Sequence, residues 1–482
     1  MRCLLARVVP SVLALAALVH ASSAREEPKS TFAEVHARAV SGLVKDLESL
    51  AGWCGDKELF AERDRAWRAI LEVEPENLAA RKGLRYSKKP DGTWVEPAPR
   101  EIKNFNPGAL PELRKRRQKT VEPFATAMHA ALVEYACDDA TKNLVYHEIL
   151  GADPDDEKVH GLLGEVRAGE LWLLEETLTG RERRGELKTL VGRALDPGQK
   201  LRVTELSGLE QTFGIVFPQH VESAHVRVLG TGDRTESETT ARACEAVGDV
   251  LRASFAISTE HEPGYTIYLL QNANESGPVL DKLPGIAPNF REFLRKVVGA
   301  KIPMQPYVVY WDKDPKRRID GAVRQTIGNF LDRGFGVGLE AGWAWEGIGQ
   351  YLTRELVGTR LTWFVQSDGA AKSDALKSKL SRSDADWLAE ALDLLQKPEH
   401  PSFAVSIDRE VNAMTTTDAL YAYALAAYFV EGRAHDGAAI LERIGHGVGA
   451  GREKTSAAIK AVLHLDAAGL EVRLVRWLRE RS

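Results

Sequence analysis

Four cysteines and four methionines in 482 residues leave little room for thiol or thioether chemistry. Cys3 sits in an N-terminal targeting segment, so Cys54, Cys137 and Cys244 remain, and an odd number allows one disulfide at most. Cys54 and Cys137 stand at comparable places in an internal repeat, so a Cys54–Cys137 bridge is one reading. Three buried, reduced thiols is the other. Long apolar runs are scarce too. The run at residues 8–19 is too short for a membrane-spanning helix, which needs ~20 apolar residues, and no membrane span is expected. Arg2 and Arg7 precede that run, Ala21, Ser22, Ser23 and Ala24 follow it, and Arg25 restores charge. Basic start, short apolar core and small residues make a secretory leader over residues 1–24, which predicts export to a periplasm or beyond the cell.

Charge of one sign is also missing. A net charge of −5 points away from a nucleic-acid partner. The most basic run, Arg114 to Arg117 with Lys119, lies on a helical pattern without interleaved aromatics and reads as a solvated helix face. Motifs for several chemistries are absent. There is no Gly-x-Ser-x-Gly elbow. Gly334, Gly336 and Gly338 follow a helical pattern, with no Lys-Ser/Thr after them, and read as a turn instead of a phosphate loop. His220, His225, His261, His435, His446 and His464 have no second histidine at i, i+4, Glu431 and His435, four apart, make no site, and His147-Glu148 lacks a second histidine at Gly151. No metal and no cofactor are expected.

What remains is an ordinary globular composition, 44% hydrophobic and 28% charged, long enough for two or more domains. Residues 25–196 read as a helical-repeat-like module. Residues 69–77, with Pro75, are echoed by residues 148–156, with Pro154, and each copy then reaches a tryptophan, Trp94 or Trp172. Helix, proline turn, helix and a short extended piece look like tetratricopeptide-type helix pairs. Asp196-Pro197-Gly198 marks a boundary. Beyond it, residues 200–206, 225–230, 265–270 and 306–311 read as strands, with a short apolar run at 213–217 and a helix at 237–254. The chain is helical again from about residue 320 to its end. The expected fold class is α+β, mostly α, with residues 197–482 as the second domain.

Within that domain, residues 320–356 carry the most specific pattern. Val323, Ile327 and Phe330/Leu331 make one apolar helical stripe, and Trp345, Ile348 and Leu352 make a second after the glycine turn. The second helix holds Trp343-x-x-Glu346-Gly347-x-x-x-Tyr351. This pair resembles the active-site helices of gluzincin metallopeptidases, specifically the bacterial peptidase-MA-like family, and the likeness extends over residues 220–480. In that family the first helix carries His-Glu-x-x-His and the second helix's Glu is the third zinc ligand. Histidines at i and i+4 share a Zn²⁺ from one helix face, and the Glu between them is general base to the bound water.

Here the matching pentapeptide is Arg324-Gln325-Thr326-Ile327-Gly328. Arg324 offers no lone pair, Gly328 has no side chain, and Gln325 is a neutral amide. The resemblance therefore implies a remnant active site at Arg324, Gln325, Gly328 and Glu346, with Trp343 and Tyr351 lining its cleft. An Arg324–Glu346 ion pair is expected in place of the zinc. The function that follows is an exported, non-catalytic peptidase relative with a protein- or peptide-binding or scaffolding role. A hydrolase in the same cleft, with a relocated metal or none, is the alternative, and an envelope packing protein is a third reading.

Overall fold

The computed structural model describes residues 30–98, 102–196, 198, 200–255, 265–302, 305–363, 371–445 and 453–481. The leader at residues 1–24, Pro197, His261 and His446 lie outside these. The chain forms two compact units that divide between Leu163 and Gly164.

The first unit is built as one pattern used twice. Helices α1 (Phe32–Asp56), α2 (Phe60–Val73) and α3 (Leu78–Gly83) have 25, 14 and 6 residues. A hairpin of β1 (Ser87–Lys88) and β2 (Trp94–Val95) follows them. Helices α4 (Leu110–Glu134), α5 (Asp139–Ala152) and α6 (Glu157–Leu162) again have 25, 14 and 6. A second hairpin, β3 (Glu165–Ala168) with β4 (Leu171–Leu174), comes next in the chain, at the start of the second unit. The short helices are capped alike, by Asn77 on Ala80 N and by Asp156 on Val159 N. Arg81 donates to the Pro75 carbonyl at 2.9 and 2.6 Å, and His160 Nε2 meets the Pro154 carbonyl at 2.8 Å. The same position thus ties off the same proline turn in both copies. From Pro75 to Pro154 is 79 positions, more than twice the ~34 of a tetratricopeptide repeat.

Cys54 is fully enclosed in the buried stripe of α1 with Leu47, Leu50 and Ala51. Burial pushes its thiol up to about 11. Cys137 lies just past α4, and both are free thiols, so the bridge raised from the sequence is not formed. Cys54 packs as a small apolar residue of the core, and Cys137 sits half-buried against it.

The second unit begins earlier than the sequence suggested. Helix α7 (Glu175–Ala194) packs against α9 (Arg234–Phe255), α17 (Thr416–Gly432) and α20 (Ala467–Arg481). Its Glu176 is buried and receives Arg473 of α20 at 2.5 and 2.9 Å and the Tyr428 hydroxyl of α17 at 2.9 Å. Buried charges joined in this way assign α7 to the second unit, although it precedes the proline boundary.

Next come β5 (Arg202–Val203), the short α8 (Gly208–Gln211), β6 (Gln219–Glu222) and β7 (Val226–Gly230). After α9 the chain forms β8 (Tyr265–Leu270), α10 (Ala273–Lys282), α11 (Pro288–Leu294), β9 (Gly299–Lys301) and β10 (Tyr307–Trp311). One six-stranded sheet results, in the order β5-β6-β7-β8-β10-β9, parallel along β7-β8-β10 and antiparallel at both margins. All six residues of β8 are buried, as an apolar parallel strand covered on both faces requires. Strands β6 and β9 carry no apolar alternation and were not legible in the sequence. Of residues 200–206 only Arg202 and Val203 pair. Residues 213–217 form no strand; Phe213 and Phe217 instead pack on Tyr268.

Helix α12 (Pro315–Phe335) follows, capped by Asp314 with Pro315 in its first turn and closed at Gly336, whose φ of 68° suits a residue without Cβ. A π-helical turn, Trp343–Ile348, runs directly into α13 (Gly349–Val357). The remainder is helical: α14 (Ala371–Leu380), α15 (Trp387–Leu395), α16 (Phe403–Ser406), α17, α18 (Ala434–Gly445), α19 (Thr455–Leu463) and α20. Helix α17 is buried on every side, which its continuous Ala, Leu and Tyr content permits. The protein is α+β and mostly α. No helix of the described residues is long and apolar enough to cross a membrane.

Candidate functional site

The residues singled out from the sequence lie where α12, the π-helical turn and α13 meet. Arg324 comes from the middle of α12 and is 2% exposed, while Glu346, in the π turn, is 0% exposed. Arg324 Nη2 donates to Glu346 Oε2, so the ion pair expected from the resemblance is formed. Arg324 Nη1 donates to the carbonyl of Thr362. Gln350, one turn beyond Glu346, donates from Nε2 to Glu346 Oε1 at 3.2 Å and to the same Thr362 carbonyl at 2.7 Å.

The segment carrying Thr362 is held from the other side. Asp320, one turn before Arg324 and fully buried, accepts from Thr359 Oγ1 at 2.7 Å, Leu361 N at 2.9 Å, Thr362 N at 3.0 Å and Thr362 Oγ1 at 2.5 Å. Residues 359–362 therefore form a strap pinned by the Asp320 carboxylate on one side and by the Arg324 guanidinium and Gln350 amide on the other. Each carboxylate has donors facing it, which is the condition for keeping such charges out of water.

Asp320, Gln350 and Thr362 were not singled out from the sequence. For the first two a signal existed: Asp320 is four residues before Arg324, and Gln350 is four after Glu346, each on the same helix face. Thr362 had none, because a loop's position over a helix pair is a tertiary outcome.

Gly328 is also accounted for. A Cβ built there would fall 2.4 Å from Cη2 of Trp345, whose indole fills the space beside the helix. The space beside position 328 is thus taken by a neighbouring aromatic ring. Gln325 is 3% exposed and sits on the same buried helix. Gly347 allows α17 to approach closely, since a Cβ there would stand 2.2 Å from the Ala422 carbonyl oxygen.

Trp343 and Tyr351 do not line a cleft. Trp343 is fully buried against Phe429, with ring centroids 5.4 Å apart. Tyr351, 2% exposed, donates its hydroxyl to Glu431 at 2.8 Å, and burial together with that carboxylate pushes its hydroxyl well above the usual tyrosine range. Arg481 closes the Glu431 site with a two-pronged contact at 2.8 and 2.7 Å. The expectation that these aromatics face a cleft is corrected: tryptophan and tyrosine at this spacing build the core here, against α17.

Among the described residues no three His, Cys, Asp or Glu side chains come together as a set able to hold a metal ion. His225 Nδ1 meets Glu245 at 2.6 Å, and Glu245 also takes Ser223 Oγ at 2.6 Å and the His225 and Val226 amides at 2.9 and 3.1 Å. Serine and histidine thus face one carboxylate instead of each other, and the cluster staples the turn between β6 and β7. His220, His435 and His464 belong to no such cluster. Cys244, fully buried, accepts from Thr326 at 3.4 Å, and burial pushes its thiol up to about 12. Asp320, Arg324, Glu346, Gln350 and residues 359–362 thus form one buried network of charge and hydrogen bonds. No protein-family model matches this chain, and no curated protein or solved structure does either.

Proposed function

We infer that this protein is a non-catalytic relative of the peptidase-MA-like metallopeptidases, exported, and acting as a protein- or peptide-binding scaffold. One observation carries the reading. Where the resemblance calls for a zinc ion between two helices, a buried arginine–glutamate pair joins them. A guanidinium is the side chain suited to that exchange, because it keeps its charge out of water and its fork can serve Glu346 and the Thr362 carbonyl together. The sealed surroundings support the same reading, since a substrate carbonyl would need the place now taken by the strap. A binding role then falls to outer surfaces, among them the duplicated helical unit.

The test is the metal content of the purified mature protein after dialysis without chelator, followed by peptidase assay. Zinc below about a tenth of a mole per mole, with no cleavage, is expected, because an intact three-ligand site retains its ion. Stoichiometric zinc or metal-dependent cleavage would overturn the reading.

A further inference from the structure

A cavity of about 330 Å³ opens beside the strap, between the ends of α7 and α13, the start of α12 and the outer face of α9. Its chemistry is divided. Ile319, Leu356 and Val357 give it an aliphatic wall, whereas Arg242 and Lys316 bring two cations and Thr359 a hydroxyl. The volume is that of a small-ligand site.

The charge balance at this rim is positive. Arg242 has its side chain 14% exposed and reaches Glu238 at 3.3 Å, but Arg234 already holds that carboxylate at 2.7 Å. Nε of Arg242 is out of solvent and meets no acceptor. Lys316 is exposed and has no acidic side-chain partner among the described residues. Of the nearby acids, Asp314 caps α12 on the Lys316 amide at 2.9 Å, and Asp320 is occupied by the strap. An incoming anion would therefore meet the exposed Lys316 and an Arg242 that shares one carboxylate, Glu238, with Arg234.

We propose that this cavity binds the C-terminal residue of a partner peptide, its free carboxylate set against Lys316 and Arg242 and its aliphatic side chain against Leu356 and Val357. The occupant is chosen by complementarity: one negative charge, next to one short apolar group, matches two cations over an aliphatic wall. A neutral peptide segment would leave the cations unanswered, and a polyanion would leave the apolar wall wet. The proposal rests on the reading of this protein as a peptide-binding scaffold and names where and how such a partner is held.

The experiment uses the full mature chain and three probes: a labelled hexapeptide ending in Val-Leu with a free carboxylate, the same peptide amidated, and octanoate. Affinity is measured by fluorescence anisotropy for the peptides and calorimetry for octanoate, on the parent and on Lys316→Glu and Arg242→Gln variants. Lys316 is a surface residue, so its variant leaves the fold intact. Saturable binding of the carboxylate peptide is expected, weakened about tenfold or more by amidation and again by Lys316→Glu. Equal binding of acid and amide, indifference to Lys316→Glu, or no saturation up to about 1 mM would overturn the proposal. Octanoate binding that depends on Lys316, without peptide binding, would overturn the peptide occupant and assign the cavity to small aliphatic carboxylates. Zinc content and peptidase activity of the same preparation report separately on the scaffold reading, so the two can fail independently.

Discussion

Removing the guanidinium of Arg324 is the sharpest perturbation this structure offers. Arg324 and Glu346 are 2% and 0% exposed, so neither charge can be handed back to water when its partner goes. In Arg324→Met, Glu346 keeps only the Gln350 amide at 3.2 Å among the side-chain donors described above, and the Thr362 carbonyl loses one of two donors. Breaking a buried pair by deleting one member costs about 3–5 kcal/mol. Replacing both members with apolar residues of similar volume is about neutral, so Arg324→Met with Glu346→Leu should recover most of the loss. Urea unfolding is the assay, following the near-ultraviolet circular dichroism of the second unit, where Trp343, Trp387 and Trp477 are almost wholly buried. With a slope near ~3 kcal/mol/M, the single variant should lower the midpoint by about 1 M or more, and the double variant should return toward the parent. A single variant as stable as the parent would refute the claim that this pair replaces a metal as the tie between the helices. A double variant no better than the single would refute the argument that the stranded carboxylate causes the loss.

Three further outcomes follow from named contacts. Installing a His-Glu-x-x-His pattern with Arg324→His, Gln325→Glu and Gly328→His should not give stoichiometric zinc while Trp345 is present. The new side chain at 328 meets that indole and overpacks the site by about 1–3 kcal/mol; adding Trp345→Ala should relieve it, and zinc retained with Trp345 intact would contradict the reasoning. Arg473→Met should destabilise the second unit by about 3–5 kcal/mol, because Glu176 is fully buried beneath it. Burial alone would raise Glu176, but hydrogen bonds and charge from Arg473 hold its carboxyl below the ordinary value of 4.5. A depressed folded value means stability that is complete above about pH 5 and lost as pH falls below 4.5, so the parent should show that acid loss and Arg473→Met should show less of it. Equal acid slopes would count against this. Finally, a thiol reagent at pH 8 should label Cys137 quickly and leave Cys54 and Cys244 untouched until unfolding, since both are buried and held protonated. Equal labelling of all three would contradict the burial.

The residues themselves determined more than the secondary structure. Asn77 and Asp156, each three positions before an amide they cap, and Pro75 and Pro154, each closing a helix, made the duplication of the first unit visible because these are local effects. The buried run of β8 was legible for the same reason: its neighbours on both sheet faces need an uninterrupted apolar strand. That Arg324, Gln325 and Gly328 offer no zinc ligand or base was readable one residue at a time, and so was the partner Arg324 would seek. Tertiary structure alone decided the rest. Trp343 and Tyr351 have the composition of a cleft wall, and only the passage of α17 behind them makes them core. Helix α7 precedes the proline boundary in the chain, yet Glu176 binds it to a helix about 300 residues away. The strap over the Arg324–Glu346 pair depends on Asp320, whose four hydrogen bonds all come from residues 39 to 42 positions further on. Spacing within a helix can be read along a sequence; which loop a buried carboxylate will hold is settled only when the chain has closed around it.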